Sequence, residues 1–277
     1  MIAFERDVRD PAYELLRGDA PLLVSMPHVG IGLPVELAER LTPEALTLAD
    51  TDWHLPLVYD FVRALGGSLL VATQSRYLID LNRPPDGSSL YPGKTTTGLA
   101  PTETFRGEPL YRGAPPDAAE IAVRREQWWR PYHDALGAEL ARLRDRHPRV
   151  VLWDAHSIAS VLPRFFEGRL PDLNFGTADG ASCDPTLIEA VLAPVRAQQA
   201  YTWVLNGRYK GGHITRSHGR PAAGVHAIQL EMVQAVYMDE TAPFTLDGPG
   251  TAGGGTAQLR PLLRACLDAA LGWARGG

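Results

Sequence analysis

Short apolar runs bounded by proline and glycine recur along the chain: PLLVSM at 21–26, GSLLVAT at 67–73, RYLIDL at 76–81, RVVLWDA at 149–155, AYTWVLN at 200–206 and VHAIQLEM at 225–232. Runs of this length, several of them apolar at consecutive positions, read as strands buried on both faces. Between them lie stretches with apolar residues at helical spacing, at 55–65, 118–146, 184–198 and 257–274. Strands that alternate with helices need crossover connections. The pattern therefore predicts an α/β fold with one mixed, mostly parallel sheet and helices on both faces. Neither an internal repeat nor a linker divides the sequence, so residues 1–277 read as a single domain.

A hydrophobic content of 45% is enough for a substantial core. The net charge is −5, with 27 basic and 32 acidic residues spread along the chain. That leaves no basic stripe of the kind a phosphate backbone requires, and no nucleic-acid partner is expected. Cys183 and Cys266 form no CxxC pair, which argues against both a disulfide framework and a thiolate zinc site. The opening MIAFERDVRD carries charges where a secretory leader needs an apolar core, and no apolar run approaches the ~20 residues that span a bilayer. The expectation is a cytoplasmic protein with no membrane partner; oligomeric state is not legible.

Two stretches depart from the alternation, 82–117 and 163–184. They are aperiodic and rich in Gly, Pro, Ser and Thr. Tyr91, Phe105, Tyr111, Phe165, Phe166 and Phe175 nevertheless suit ordered loops packed over a functional surface. The GPGTAGGGT segment at 248–256 lacks both the P-loop Lys-Ser/Thr and a GxGxxG, and reads as a connector to the last helix.

Residues able to do chemistry collect where the strands end. His28 follows PLLVSM, DAHS places Asp154 and His156 at the end of a second strand, and Glu231 lies among apolar neighbours in VHAIQLEM. Ligands of open α/β sheets bind outside the carboxyl ends of strands, and an unpaired carboxylate among apolar residues is costly. Sparse imidazoles and carboxylates at several strand ends match a catalytic zinc site, in which three ligands leave a fourth position for water. There is no HExxH, and Ile31 stands where an HxxE pair would place its acid. The acidic ligand must come from elsewhere, and DTDWH at 50–54 is the nearest stretch. Asp154, two residues before His156 on a strand, shares its side and is expected to orient the imidazole. Ser157 is not a nucleophile elbow, since no GxSxG occurs. His133 lies in a helical stretch with Trp128, Trp129 and Tyr132, which suits packing or orientation of a ligand; His54 reads as a helix start and His147 as surface.

Arg76 and Arg83 bracket the SRYLIDLNRPP run, with Asp80 and Asn82 on the side of Arg76 if the run alternates as a strand. Such arginines are either solvated or placed for bidentate recognition of a carboxylate. GGHITRSHGRP at 211–221, with His213, Arg216, His218 and Arg220, reads as an irregular anion-binding loop.

The segments SMPHVGIGLP, DTDWHLPLVYDF, SRYLIDLNRP, YHDAL, VLWDAHSI, GGHITRSHGRP and AIQLEM, in this order, resemble the N-formylglutamate amidohydrolase family over about residues 20 to 240. The resemblance implies a zinc-carboxypeptidase-like α/β fold. It also implies zinc-dependent hydrolysis of N-formyl-L-glutamate to L-glutamate and formate, at the end of histidine degradation. Carried onto this chain, it makes His28 and His156 zinc ligands and the acid of DTDW the third, placed at Asp52 with Asp50 as the alternative. Glu231 becomes the group that activates water. Asn82 and Arg83 become the carboxylate receptor, and Arg76 and Arg216 add the cationic contacts that a dicarboxylate substrate needs. Asp154, His133 and His213 would support these residues from behind. One zinc per chain is expected, although nitrogen and oxygen donors also accept other divalent metals. Two further readings share the fold: an amidohydrolase for another N-acyl amino acid, and a non-catalytic small-molecule binder.

Overall fold

The computed structural model describes residues 11–90, 93 and 95–276. The MIAFERDVRD segment and Tyr91 lie outside the described residues. In chain order the elements are β1 (Tyr13–Leu16), β2 (Leu22–Met26), α1 (Val35–Ala38), α2 (Leu55–Val58) and β3 (Ser68–Ala72). Next come α3 (Ala118–Arg124), α4 (Arg130–Arg144), β4 (Val150–Ile158), β5 (Leu173–Gly176) and α5 (Pro185–Arg196). The chain closes with β6 (Trp203–Leu205), α6 (His213–His218), β7 (Val225–Val233) and α7 (Gly255–Arg275).

Among the described residues the strands form one sheet in the order β1-β3-β2-β4-β7-β5-β6. The pairs β2/β3, β2/β4, β4/β7 and β5/β6 are parallel, while β1/β3 and β5/β7 are antiparallel. The mixed, mostly parallel α/β sheet read from the sequence is therefore present. Side-chain alternation divides its core. Val24, Val151 and Trp153 pack on one face with Val191 of α5 and Leu263 and Leu267 of α7. Leu23, Val150, Leu152 and Ala227 pack on the other with Leu136, Leu140 and Leu143 of α4. No helix among the described residues is long and apolar enough to cross a membrane.

Four local expectations change. The run at 76–81 is a series of turns rather than a strand, because side chains capture its backbone: Tyr77 N donates to Ser75 Oγ at 3.2 Å and Asn82 N to Asp80 Oδ1 at 2.8 Å. The 211–221 stretch is not irregular throughout, since α6 forms within it. Asn82 satisfies the start of that helix, its Oδ1 accepting from Ile214 N at 2.8 Å. The 163–184 stretch contains β5, held in register by both β6 and β7. Strand β1, with alternating partial burial, had no continuous apolar run to mark it.

Candidate metal centre and substrate cleft

On the α4 face of the central strands, the apolar layer gives way to polar residues toward the carboxyl ends. Leu152 is followed on that side by Asp154 and His156, and Ala227 by Gln229 and Glu231. Parallel register sets Asp154 beside Gln229 and His156 beside Glu231. His28 follows β2, and the 50–54 loop is tied to it by Asp52 N donating to His28 O at 2.9 Å. Asp154, His156 and Ser157 thus end, still buried, a strand whose earlier residues belong to the apolar core.

His28, Asp52 and His156 come together, all buried. His156 Nδ1 is 3.1 Å from His28 Nδ1 and 3.2 Å from Asp52 Oδ2, and His28 Nδ1 is 3.7 Å from the same oxygen. Ligands about 2.0–2.1 Å from a tetrahedral metal stand about 3.3 Å apart, so these edges fit. Each ring turns its other nitrogen to a carboxylate: His28 Nε2 lies 2.7 Å from Asp80 Oδ1, and His156 Nε2 lies 3.1 Å from Asp154 Oδ1. A carboxylate at Nε2 leaves Nδ1 as the lone-pair side. Two facing lone pairs beside Asp52 call for a cation between them. Asp52 Oδ1 is also buried without a hydrogen-bond partner.

The electrostatics agree. The His156 pKa is held well above its usual value; burial works against this, and Asp154 with Asp52 overcomes it. That of His28 is lowered, chiefly by burial and then by Arg76. Positive charge is thus favoured at this spot, as a proton on His156 or as a metal ion among the three donors. The group can bind a metal. Asp50 is committed elsewhere, accepting from Tyr77 Oη and Phe105 N, each at 2.8 Å.

A cleft above the triad is lined by His28, Arg76, Asn82, Arg83, His156 and Glu231, among others. Burial, countered by His156 and reinforced by Asp52, pushes the Glu231 carboxyl up to about 7. Its Oε2 accepts from Gln229 Nε2 at 3.2 Å, while Gln229 Oε1 accepts from Gly212 N at 2.7 Å. The structure thus ties Glu231 to the loop after β6 through an unforeseen glutamine.

The predicted arginines separate. Arg76 is buried, with Nη2 2.8 Å from Asp80 Oδ2 and its guanidinium 4.6 Å from the Phe105 ring centroid. Arg83 donates through Nε to Thr97 O and through Nη2 to Thr97 Oγ1, each at 2.9 Å. Arg216 stands on α6, its Nε donating to Gly211 O at 2.9 Å, and is not among the cleft-lining residues. Arg208, in the loop after β6, lines the cleft and was not anticipated. It spans both long loops, donating to Phe165 O at 3.0 Å and Thr95 O at 3.2 Å. Its only trace in the sequence is a cation flanked by Gly207 and Tyr209 after a strand.

Asn82 Nδ2 lies 2.9 Å from His156 Nε2 and donates to Asp154 Oδ2 at 3.5 Å. A Cβ at Gly212 would sit 2.3 Å from that amide nitrogen, so only glycine permits the approach. Ser157 is structural: its Oγ accepts from Tyr237 Oη at 2.7 Å and its N–H faces Asp52 Oδ2 at 3.2 Å. His133 and His213 flank the turn that carries Asn82.

The chain is similar to known proteins over most of its length. The family model described as N-formylglutamate amidohydrolase matches residues 20–238. An N-formylglutamate deformylase of Pseudomonas putida is 51% identical over 237 residues, covering 85% of this chain and 88% of the relative. One from Pseudomonas aeruginosa is 48% identical over 267 residues, covering 96% and 98%. The crystal structure of an N-formylglutamate amidohydrolase from Ralstonia eutropha JMP134 superposes with a TM-score of 0.77 at 26% identity, covering 96% of this chain and 99% of that one. A gene product of Agrobacterium tumefaciens, 19% identical with a TM-score of 0.70, covers the same shares and shares the fold.

Proposed function

This chain belongs to the N-formylglutamate amidohydrolase family, and from that premise we propose that it hydrolyses N-formyl-L-glutamate to L-glutamate and formate. The observation that carries the reading is the convergence of His28, Asp52 and His156 on one point beside Glu231, at the floor of a cleft lined by Arg76, Arg83 and Arg208. The complete set of donors and base argues against a binding protein that has lost its chemistry.

One zinc ion held by His28, Asp52 and His156 would supply Lewis-acid polarisation of the formyl group and acidification of water. Glu231 takes the proton of the attacking water and returns it to the departing glutamate nitrogen. A carboxyl raised to about 7 suits both directions of transfer. Asp154 and Asp80 fix the two imidazoles with their lone pairs toward the shared point. The formyl group is too small to confer much selectivity, so recognition rests on the two carboxylates of the glutamate half. Asn82 and Arg83 receive one, and Arg208 is placed for the other. Arg76, paired with Asp80, contributes its field at the cleft wall. Arg216 then acts through Gly211 rather than on substrate.

Its setting is then the final step of histidine degradation, in the cytoplasm, a compartment that suits two buried free cysteines. The test is formate release from N-formyl-L-glutamate by purified protein, before and after chelation and with zinc restored. Chelator-sensitive release recovered by zinc is expected. No release from zinc-loaded protein, with turnover of N-acetyl- or N-succinylglutamate instead, would transfer the assignment to another N-acyl amino acid.

A further inference from the structure

Asn82 and Arg83 carry the carboxylate-binding role just proposed, yet they sit in a turn with no strand neighbour to fix them. Their backbone is held by side chains from helices. The carbonyl before Asn82 belongs to Leu81 and accepts from His133 Nε2 at 2.8 Å. The carbonyl of Arg83 accepts from Trp129 Nε1 at 3.0 Å. The two donating rings stack on one another, centroids 3.8 Å apart and planes inclined by 22°. The carbonyl between them, of Asn82 itself, accepts from His213 N of α6 at 3.3 Å. Three successive carbonyls are thus claimed from two helices, and buried carbonyls need such donors.

The two helices are also joined to each other. His133 Nδ1 and His218 Nε2 stand 3.2 Å apart. Leu81 O can only accept, so the His133 proton is on Nε2 and its Nδ1 accepts from His218. Burial lowers the His133 pKa to about 3, which keeps the ring neutral and the order of donors fixed at neutral pH.

The backbone of this region departs from α-helical form where the grip is made. Arg125–Trp129 is a π turn between α3 and α4. A widened turn inserts one residue and rotates the face of the following helix by about 100°. Trp129 and His133, four residues apart, then share the face that meets the 81–83 turn. Such turns are rare in helices and frequent at functional sites.

We propose that Trp129 and His133 are positioning residues for substrate binding: a stacked pair, presented by the π turn, that sets the aim of Asn82 and Arg83 into the cleft. The inference rests on the reading that Asn82 and Arg83 receive a substrate carboxylate. Neither ring lines the cleft, so the pair acts on affinity through the turn it holds.

Trp129→Phe keeps a stacking ring and removes the indole N–H. The expected result is a rise of about fivefold in KM for N-formyl-L-glutamate, the scale of one hydrogen bond, with kcat within about twofold. The inhibition constant of L-glutamate should rise in parallel. His133→Phe, read the same way, stands in if Trp129→Phe does not fold. A purely structural role would lower Tm and leave KM and the inhibition constant at their wild-type values, and that outcome overturns the proposal while the deformylase reading stands. Wild-type protein that releases no formate overturns both.

Discussion

Among the described residues, two pairs of buried or half-buried histidines bring ring nitrogens within hydrogen-bond distance, and they have opposite fates. His28 and His156 face each other through Nδ1 at 3.1 Å; His133 and His218 approach through Nδ1 and Nε2 at 3.2 Å. The distances are nearly equal, and the surroundings are not. Each ring of the first pair turns its far nitrogen to a carboxylate, Asp80 or Asp154, and Asp52 lies between them. In the second pair His133 turns its far nitrogen to the Leu81 carbonyl. The carboxylates create a place for a cation. Without them, burial prevails, and the pKa values of His133 and His218 fall to about 3 and about 4. An imidazole pair is thus a ligand site or a neutral strut according to the charge on its outer nitrogens.

The most severe way to separate the pairs is to delete one ring from each. His156→Ala should empty the site and lower kcat/KM by about 10³-fold or more, because a metal ion contributes several kcal/mol at about 1.4 kcal/mol per tenfold. His133→Ala should keep one metal per chain. Metal analysis beside formate assays reads both, and equal metal loss in the two variants would erase the distinction.

Acid titration tests the strut directly. The folded pKa of His133 lies below that of the unfolded chain, so the unfolded state takes up the proton first. Stability is therefore complete above about pH 6.5 and is lost as pH falls toward about 3. Between pH 6.5 and 4.5 the loss from His133 alone should be about 2–3 kcal/mol, at about 1.4 kcal/mol per pH unit. Urea midpoints across that window measure it, and His133→Phe should flatten the slope. An unchanged slope would mean that the ring is protonated in the folded state.

Asp154→Asn gives the mildest effect, because it alters what faces His156 and leaves the three donors in place. Metal affinity should weaken by about 10- to 100-fold, as for other partners of ligating imidazoles. Competition with a chromophoric chelator reads the change, and undiminished affinity would remove Asp154 from the account.

Part of this was written plainly in the sequence. His28, His156 and Glu231 follow or end apolar runs whose burial is obvious, so the sheet edge and its polar lip could be placed together. The choice of Asp52 rests on resemblance; residue spacing alone leaves Asp50 equal to it, and the structure separates them, with Asp52 3.2 Å from His156 Nδ1 and Asp50 paired with Tyr77 and Phe105. Arg208 and the α6 helix were illegible for a different reason. Both depend on contacts across long sequence separations, from Arg208 to Thr95 and from Ile214 to Asn82. Local periodicity carries no record of such contacts. The turns at 76–83 escape a reading by alternation because Ser75 and Asp80 hydrogen-bond the backbone in place of a neighbouring strand.

Gly212 constrains the chain in another currency, that of mutational drift. Its φ of −84° is one any residue can adopt. What bars a side chain is the Asn82 amide, and that amide cannot turn aside without abandoning Ile214 on one edge and Asp154 on the other. Even alanine, the smallest replacement, would force several residues to move at once. A residue with no functional group of its own therefore sits at a position closed to neutral, stepwise change.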